Sequence, residues 1–262
     1  MELIDTHAHL TFGQLKDRTD AVIQRACDAG VIQCITVATE PAEIDEVIAL
    51  ADKYDCVFAA LGYHPHIAKD VTENDLARLK DLCSHPKVVA IGETGLDFHY
   101  NFSAQPAQEE IFIRHLRIAA ETNLPVIIHS RNAFEETLKI LDSNGGGIER
   151  IVFHCFGETA ERAKIILDKD WHISFTGVVT FKNAHDTRQA AKLVPLDKLM
   201  VETDCPYMSP EPKRNKKPNE PALLTYTARF IAELKDIAAE DFAVGTTKTA
   251  RTFFNLPVAQ HK

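Results

Sequence analysis

Eight short apolar runs recur along the chain, at residues 3–4, 31–38, 57–61, 88–91, 125–128, 151–153, 172–175 and 199–201, and they constrain the fold more than any other feature. Each is continuous rather than alternating, which is the pattern of a strand buried on both faces in a parallel sheet covered by helices. Between them, apolar residues recur at helical spacing over 18–29, 43–54, 74–83, 105–122, 133–142, 159–169 and 184–194, with further helices at 222–234 and 239–254. Eight strands in 262 residues is one βα unit per roughly 33 residues, the cadence of a (β/α)8 barrel. A doubly wound sheet is the structural rival. Against it, no GxGxxG follows the first strand, and Gly145-Gly146-Gly147 comes after a helical segment, where it reads as a stop and a turn. The spacing predicts an α/β fold, a TIM barrel filling residues 1–262 as a single domain.

Composition removes several classes of function. No stretch approaches the roughly 18 uninterrupted apolar residues of a membrane span. Met1-Glu2-Leu3-Ile4-Asp5-Thr6-His7 lacks the basic start and apolar run of a signal peptide, so a cytoplasmic protein is expected. With 29 basic against 38 acidic residues and a net charge of -9, the chain is not built to coat nucleic acid by charge neutralisation. An enzyme that grips phosphate through metal ions is compatible with that charge. The six cysteines at 27, 34, 56, 83, 155 and 205 form no CxxC pair and read as free, mostly buried small hydrophobes. Lys213, Arg214, Lys216 and Lys217 crowd among the prolines of residues 210–221, a loop after the eighth strand. By default it is solvated, and it begins close enough to Asp204 to steer a polyanion.

Catalytic groups of a parallel barrel sit at the carboxyl ends of its strands. Histidine or carboxylate follows six of the eight runs: Asp5-Thr6-His7-Ala8-His9, Tyr63-His64-Pro65-His66, Gly92-Glu93-Thr94-Gly95-Leu96-Asp97, His129-Ser130-Arg131, His154-Cys155-Phe156 and Glu202-Thr203-Asp204. Alternation along an extended chain aims His7 and His9 the same way, so they can share one cation. Burying Glu93, His129, His154 and Asp204 beside them without a cation would be costly. Six ligands exceed one tetrahedral zinc and suit two metals sharing a carboxylate. Glu93, central in strand order, is the expected bridge, with His7, His9 and Asp204 on one metal and His129 and His154 on the other. Mixed histidine and carboxylate ligands suit Zn, Mn, Co, Ni or, less well, Mg, so one or two divalent ions are expected without a choice among them.

These strings, together with Val126-Ile127-Ile128-His129 and Val201-Glu202-Thr203-Asp204-Cys205-Pro206-Tyr207, resemble the TatD family of metal-dependent deoxyribonucleases from Met1 to about Leu256. The resemblance implies an amidohydrolase-type TIM barrel, divalent metals, hydrolysis of DNA phosphodiesters, and the same ligands, matched at His7, His9, Glu93, His129, His154 and Asp204. Departures occur at Thr11 and Asn132 and in the loop of residues 214–221, and they touch substrate preference rather than the ligands. The expected mechanism is in-line attack by a water activated at the metals, with Asp204 as general base and Glu93 as the second catalytic carboxylate. His64 is expected to face substrate phosphate, as the resemblance favours, Arg131 to hold a phosphate by two hydrogen bonds, and Glu202 to orient a ligand. His66 is as well read as a loop residue, and Asp97, His99 and Tyr100, beyond Glu93, are placed to line the cleft. DNA strand ends or short segments are the expected partner. The rivals are a metal-dependent esterase, lactonase or deacylase, including aminoacyl-RNA deacylation, because activated water attacks carbonyl and phosphoryl centres alike, and a metal-stabilised scaffold.

Overall fold

Continuous apolar strands need cover on both faces, and the chain supplies it by following each strand with a helix that is apolar on one side. The computed structural model describes residues 1–258. Its strands are β1 (Leu3–Ala8), β2 (Val31–Ala38), β3 (Val57–Leu61), β4 (Val88–Asp97), β5 (Val126–Arg131), β6 (Ile151–Phe153), β7 (His172–Phe175) and β8 (Leu199–Val201). They form one eight-stranded sheet in sequential order, with parallel pairing, which is the (β/α)8 barrel fold. The helices are α1 (Gly13–Lys16), α2 (Thr19–Asp28), α3 (Ile44–Lys53), α4 (Glu73–Leu82), α5 (Gln105–Thr122), α6 (Phe134–Asn144), α7 (Ala160–Asp168), α8 (His185–Leu193), α9 (Leu224–Leu234) and α10 (Ala239–Phe254). No helix among the described residues is long and apolar enough to cross a membrane. By contact the chain falls into two compact units, residues 1–36 with the chain from Cys155 onward, and residues 37–154.

In the first unit, the segment after β8 continues the sheet back to β1. Ala8 and Cys205 form a parallel bridge, the His9 N–H donates to the Cys205 carbonyl at 2.8 Å, and the Asp204 N–H donates to the His7 carbonyl at 2.9 Å. α10 buries Phe242, Thr246, Ala250 and Phe253, one stripe at helical spacing. Within the stripe the Thr246 hydroxyl is satisfied locally, donating to the Phe242 carbonyl at 3.0 Å, and beside it Thr249 donates to the distant Leu196 carbonyl at 2.8 Å. The loop of residues 210–221 is tied down by Asn219, fully buried, whose amide donates to the Thr203 and Tyr207 carbonyls at 3.0 and 2.6 Å.

In the second unit, α4 starts with a reciprocal cap: the Thr72 hydroxyl accepts the Asp75 N–H at 3.3 Å, and the Asp75 carboxylate accepts the Thr72 N–H at 2.8 Å. Such a cap contributes about 1 kcal/mol. α3 packs Ile44, Val47 and Ala51 inward, all fully buried, and α5 adds Phe112 and Leu116. α5 ends at Asn123 in the left-handed region with φ 56°, where Asn is tolerated better than most side chains.

Strands β1, β4 and β5 outrun their apolar segments, continuing through Asp5 to Ala8, Gly92 to Asp97, and His129 to Arg131. Polar residues end an apolar run but not a hydrogen-bond ladder, and here the ladder carries the candidate ligands. The cysteines are all thiols, but only Cys34 and Cys205 are buried, while Cys27 is exposed and Cys56, Cys83 and Cys155 are half-buried.

Glu220 is the stability test for the loop after β8. Its carboxylate is buried and accepts hydrogen bonds from Arg25 at 3.0 and 2.6 Å and from Lys216 at 2.6 Å. Burial pushes its carboxyl up, but the bonds from Arg25 and Lys216 outweigh that and hold it below its ordinary value. A depressed carboxyl stabilises the fold above the ordinary value near about 4.3, and the contribution disappears as pH falls through the folded-state value. Glu220→Gln should cost about 1–3 kcal/mol at pH 7. In denaturant titrations the gap from the parent should close below about pH 4, and a pH-independent gap would remove the ion cluster from the account.

Candidate metal centre

Each compact unit gathers its own histidine and carboxylate cluster. In the first, the β1 strand end and the residues after β8 bring together His7, His9 and Asp204, three residues whose ligand atoms converge. His7 Nε2 and His9 Nε2 lie 3.2 Å apart, His9 Nε2 lies 3.3 Å from the Asp204 carboxylate, and His7 Nε2 lies 3.9 Å from it. Ligands at the 2.0–2.1 Å bonds of a tetrahedral zinc site stand about 3.3 Å from one another. The set therefore fits one divalent cation in both chemistry and spacing. Asp204 is held at φ 51°, a sparsely populated conformation that costs on the order of 1–2 kcal/mol outside glycine and persists where the surroundings impose it. Asp5 supplies part of that frame. Its two oxygens accept the Thr203 N–H at 2.9 Å and the Thr203 hydroxyl at 2.6 Å, while burial pushes its carboxyl up to about 7.

The second unit gathers Glu93, His129, His154 and His64. Glu93 Oε1 lies 2.8 Å from His129 Nδ1, 2.9 Å from His154 Nε2 and 3.5 Å from His64 Nε2, and the two nearer imidazole nitrogens are 3.4 Å apart. Behind His129 stands Asp97, whose Oδ2 accepts from His129 Nε2 at 3.2 Å and from His66 Nε2 at 3.0 Å. A carboxylate on the far nitrogen fixes the His129 tautomer with the proton on Nε2 and leaves Nδ1 for a cation. Burial alone would lower the His129 pKa, but its bonds to Asp97 and Glu93 outweigh that and raise it. Glu93 is held well below its ordinary value, because His154, His64 and His129 outweigh its burial.

His64 Nε2 also converges with Glu93 and His129 closely enough for a shared cation, but its hydrogen bonding favours a donor role. Its Nδ1 accepts the His66 backbone N–H at 3.1 Å, so the neutral ring carries its proton on Nε2 and donates from there. Burial drives its pKa well below the ordinary value, which keeps it in that neutral form.

The remaining sequence candidates occupy different positions. Glu202 is buried, with one oxygen accepting the Cys155 N–H at 2.6 Å and the other the Ser174 hydroxyl at 2.6 Å and the Thr6 hydroxyl at 3.4 Å. Arg131 is exposed at the end of β5, with its guanidinium 4.6 Å from the centre of the Tyr100 ring. Lys216 of the basic loop is engaged with Glu220, and Arg214 lies over the Phe181 ring at 3.6 Å.

His66, Asp5 and Gln108 act here without having been assigned a role from sequence, and Asp97, expected from sequence to line the cleft, instead stands behind His129. The Gln108 amide accepts the Asp97 N–H at 2.8 Å and donates to the Asp97 carbonyl at 3.1 Å, locking the strand end that carries this carboxylate. For Asp97 a signal existed: four residues past Glu93 on an extended strand lies the same side. Its partner, His129 on the neighbouring strand, is what local pattern does not supply. Gly95 has a backbone reason of its own. Its φ is 135°, and a Cβ there would meet the His129 carbonyl oxygen at 2.1 Å, so β4 and β5 approach as closely as the site requires only with glycine.

A family model described as TatD related DNase matches residues 4–255. The chain belongs to the TatD family. Among its relatives, YabD of Bacillus subtilis, named an uncharacterized metal-dependent hydrolase, is 41% identical over 97% of this chain and 99% of its own length. A protein of Shigella flexneri named 3'-5' ssDNA/RNA exonuclease TatD is 34% identical over 97% of this chain and 99% of its own. Among solved structures, the TatD homologue YJJV of Escherichia coli K12 superposes with a TM-score of 0.90 at 31% identity, covering 97% of this chain and 98% of that one. This TatD-family chain is a metal-dependent hydrolase, and its two histidine and carboxylate clusters are the residues able to hold one or two divalent ions.

Asp97→Asn tests the arrangement around His129. Losing the carboxylate behind the ligand should weaken the cation affinity of the Glu93 cluster about 10–100-fold, measured by equilibrium dialysis with metal analysis. In the parent, that affinity should rise with pH, because His129 must shed its proton before Nδ1 can bind. Unchanged affinity in the variant would show that Asp97 does not position this ligand.

Proposed function

We propose that this protein is a deoxyribonuclease that hydrolyses phosphodiester bonds at strand ends or in short exposed segments of DNA. The observation that carries the reading is the spacing of His7, His9 and Asp204, and of Glu93, His129 and His154, at metal-ligand distances in a chain of the TatD family. The relative named as a single-stranded DNA and RNA exonuclease supports the choice of a phosphodiester substrate. His7, His9 and Asp204 would hold one divalent cation, and Glu93, His129 and His154 another. Such cations, when bound, lower the pKa of water and offset charge on phosphoryl oxygens.

The side chains divide the remaining work. Asp204 takes the proton of the attacking water as the new P–O bond forms, and the departing ester oxygen gains a proton from solvent water as its P–O bond breaks. His64, neutral with its proton on Nε2, donates a hydrogen bond to a non-bridging phosphoryl oxygen. Arg131, exposed at the end of the strand that carries His129, grips the neighbouring phosphate through its planar fork. Glu202 fixes the Cys155 backbone next to His154 and so positions that ligand.

Asp204→Asn should abolish turnover, a fall of at least about 100-fold from loss of the base alone, while circular dichroism and melting stay near the parent. An active, metal-loaded Asp204→Asn protein would overturn the assignment. Reversible inactivation by chelation is expected, with restoration by one or more of zinc, manganese, cobalt, nickel and magnesium. A substrate panel decides the chemistry: end-labelled single- and double-stranded DNA, RNA, aminoacyl-RNA and aryl esters. DNA cleavage with mononucleotide products supports the reading, and turnover confined to carbonyl esters would place the protein among deacylases or esterases.

A further inference from the structure

The loop after β4 leaves two large aromatic side chains in solvent beside the Glu93 cluster, and the chemistry described above does not use them. Tyr100 is 49% exposed and Phe102 58%, and their rings lie within 6° of parallel with centroids 5.4 Å apart. Keeping such a pair in water forgoes hydrophobic burial, and clustered exposed apolar surface marks interaction sites. Their loop is firmly built. Asp97 Oδ1 accepts the N–H groups of His99 and Tyr100, both at 2.9 Å, and Asn101 takes a left-handed φ of 56°. Ser103, buried, donates to the His66 carbonyl at 2.8 Å and accepts the Lys69 N–H at 3.1 Å, and its carbonyl accepts from the Gln108 amide at 2.8 Å.

The aromatic pair is continuous with the cluster through a row of rings. His66 meets Phe102 edge-on at 4.8 Å and Tyr100 at 5.5 Å. It lies 4.1 Å from the His64 ring, which is 4.5 Å from the His129 ring. The Arg131 guanidinium stands 4.6 Å from the centre of Tyr100. A planar cation, a neutral imidazole N–H and flat apolar rings in one row match the parts of a nucleotide: phosphate oxygens on the donors, the base on the rings.

We propose that Tyr100 and Phe102 form a stacking platform for an unpaired nucleobase of the strand whose phosphodiester is held at the Glu93 cluster. The inference rests on the nuclease reading above and names its substrate class, single-stranded ends or segments taken with little preference among bases, because every base offers a π face. Phe102, the more exposed ring, carries most of the contact, and Tyr100 backs it beside Arg131. A base inside a duplex is already stacked and paired and cannot use the platform without being freed. Stacking also supplies affinity that a chain of net charge -9 does not obtain from a broad basic surface.

The test compares Phe102→Ala, Tyr100→Ala and Phe102→Trp in the full-length, metal-loaded enzyme. On single-stranded oligonucleotides, Phe102→Ala should raise KM about five- to a hundredfold with kcat within about twofold, and Phe102→Trp should restore the parent value. On the same strand made abasic, the parent KM should already be high and Phe102→Ala should add nothing. An unchanged KM in both alanine variants overturns the platform, as does an equal rise on intact and abasic strands, which would mark a merely structural role. A second readout is independent of turnover. In an Asp204→Asn background loaded with metal, a strand carrying 2-aminopurine should be quenched on binding, and Phe102→Ala should abolish the quenching. If the parent hydrolyses no nucleic acid, the nuclease reading falls, and the quenching still decides the platform: its presence and its loss with Phe102 support base stacking, and its absence overturns it.

Discussion

Four hydrogen bonds converge on the single buried carboxylate of Asp97, and the geometry of the Glu93 cluster depends on them. Two imidazoles donate to Oδ2 and two backbone N–H groups to Oδ1. Burial would push this carboxyl up, but bonds from His129, Tyr100 and His66 outweigh it and hold the group far below the ordinary range. An ionised carboxylate held this way keeps its partners in place, so the His129 ring cannot turn without breaking a charged hydrogen bond. The same group also orders the turn that carries Tyr100, so one buried charge links ligand geometry to the surface beside it.

The cluster of the first unit is organised on the same physical plan with different parts. There the backbone does most of the positioning: the pairing of Ala8 with Cys205 sets His7 and His9 beside the residues after β8. Asp5 holds Thr203 through both its oxygens, and Asn219 holds Thr203 and Tyr207 from the other side. Asp204, enclosed between those anchors, is kept in a left-handed conformation that the chain would otherwise leave. Rigidity of this kind suits a cation site, where ligand atoms displaced by a fraction of an ångström lose affinity.

Charge bookkeeping alone misjudges such a site. The excess of acidic residues argues against a protein that coats nucleic acid by charge, but two of those acids, Glu93 and Asp204, lie among histidines at cation-ligand spacing and say nothing of the surface. The basic loop after β8 is also less free than its composition indicates, since Lys216 is engaged with the buried Glu220 and Arg214 lies over Phe181. Arg131 and a pair of aromatic rings are among the groups that reach solvent near the Glu93 cluster.

Much of this was legible without coordinates, for a definite reason. Continuous apolar runs at a regular interval admit few architectures, and in a parallel barrel the residues after each run are the ones that face the site, so His7, His9, Glu93, His129, His154 and Asp204 stand out from local pattern alone. Local pattern is silent on partners distant in sequence. That Asp97 shares one oxygen between His66 and His129, that Asp5 holds Thr203, that Gln108 locks Asp97, and that an N–H donating to Nδ1 leaves the His64 proton on Nε2 were all decided by folded contacts. The sequence by itself determined the strands, the helices and the chemical identity of the candidate ligands, because periodicity and residue type are local properties. Only the tertiary structure decided tautomers, supporting carboxylates and the exposed aromatic pair, because hydrogen bonding and burial depend on which strands and loops meet.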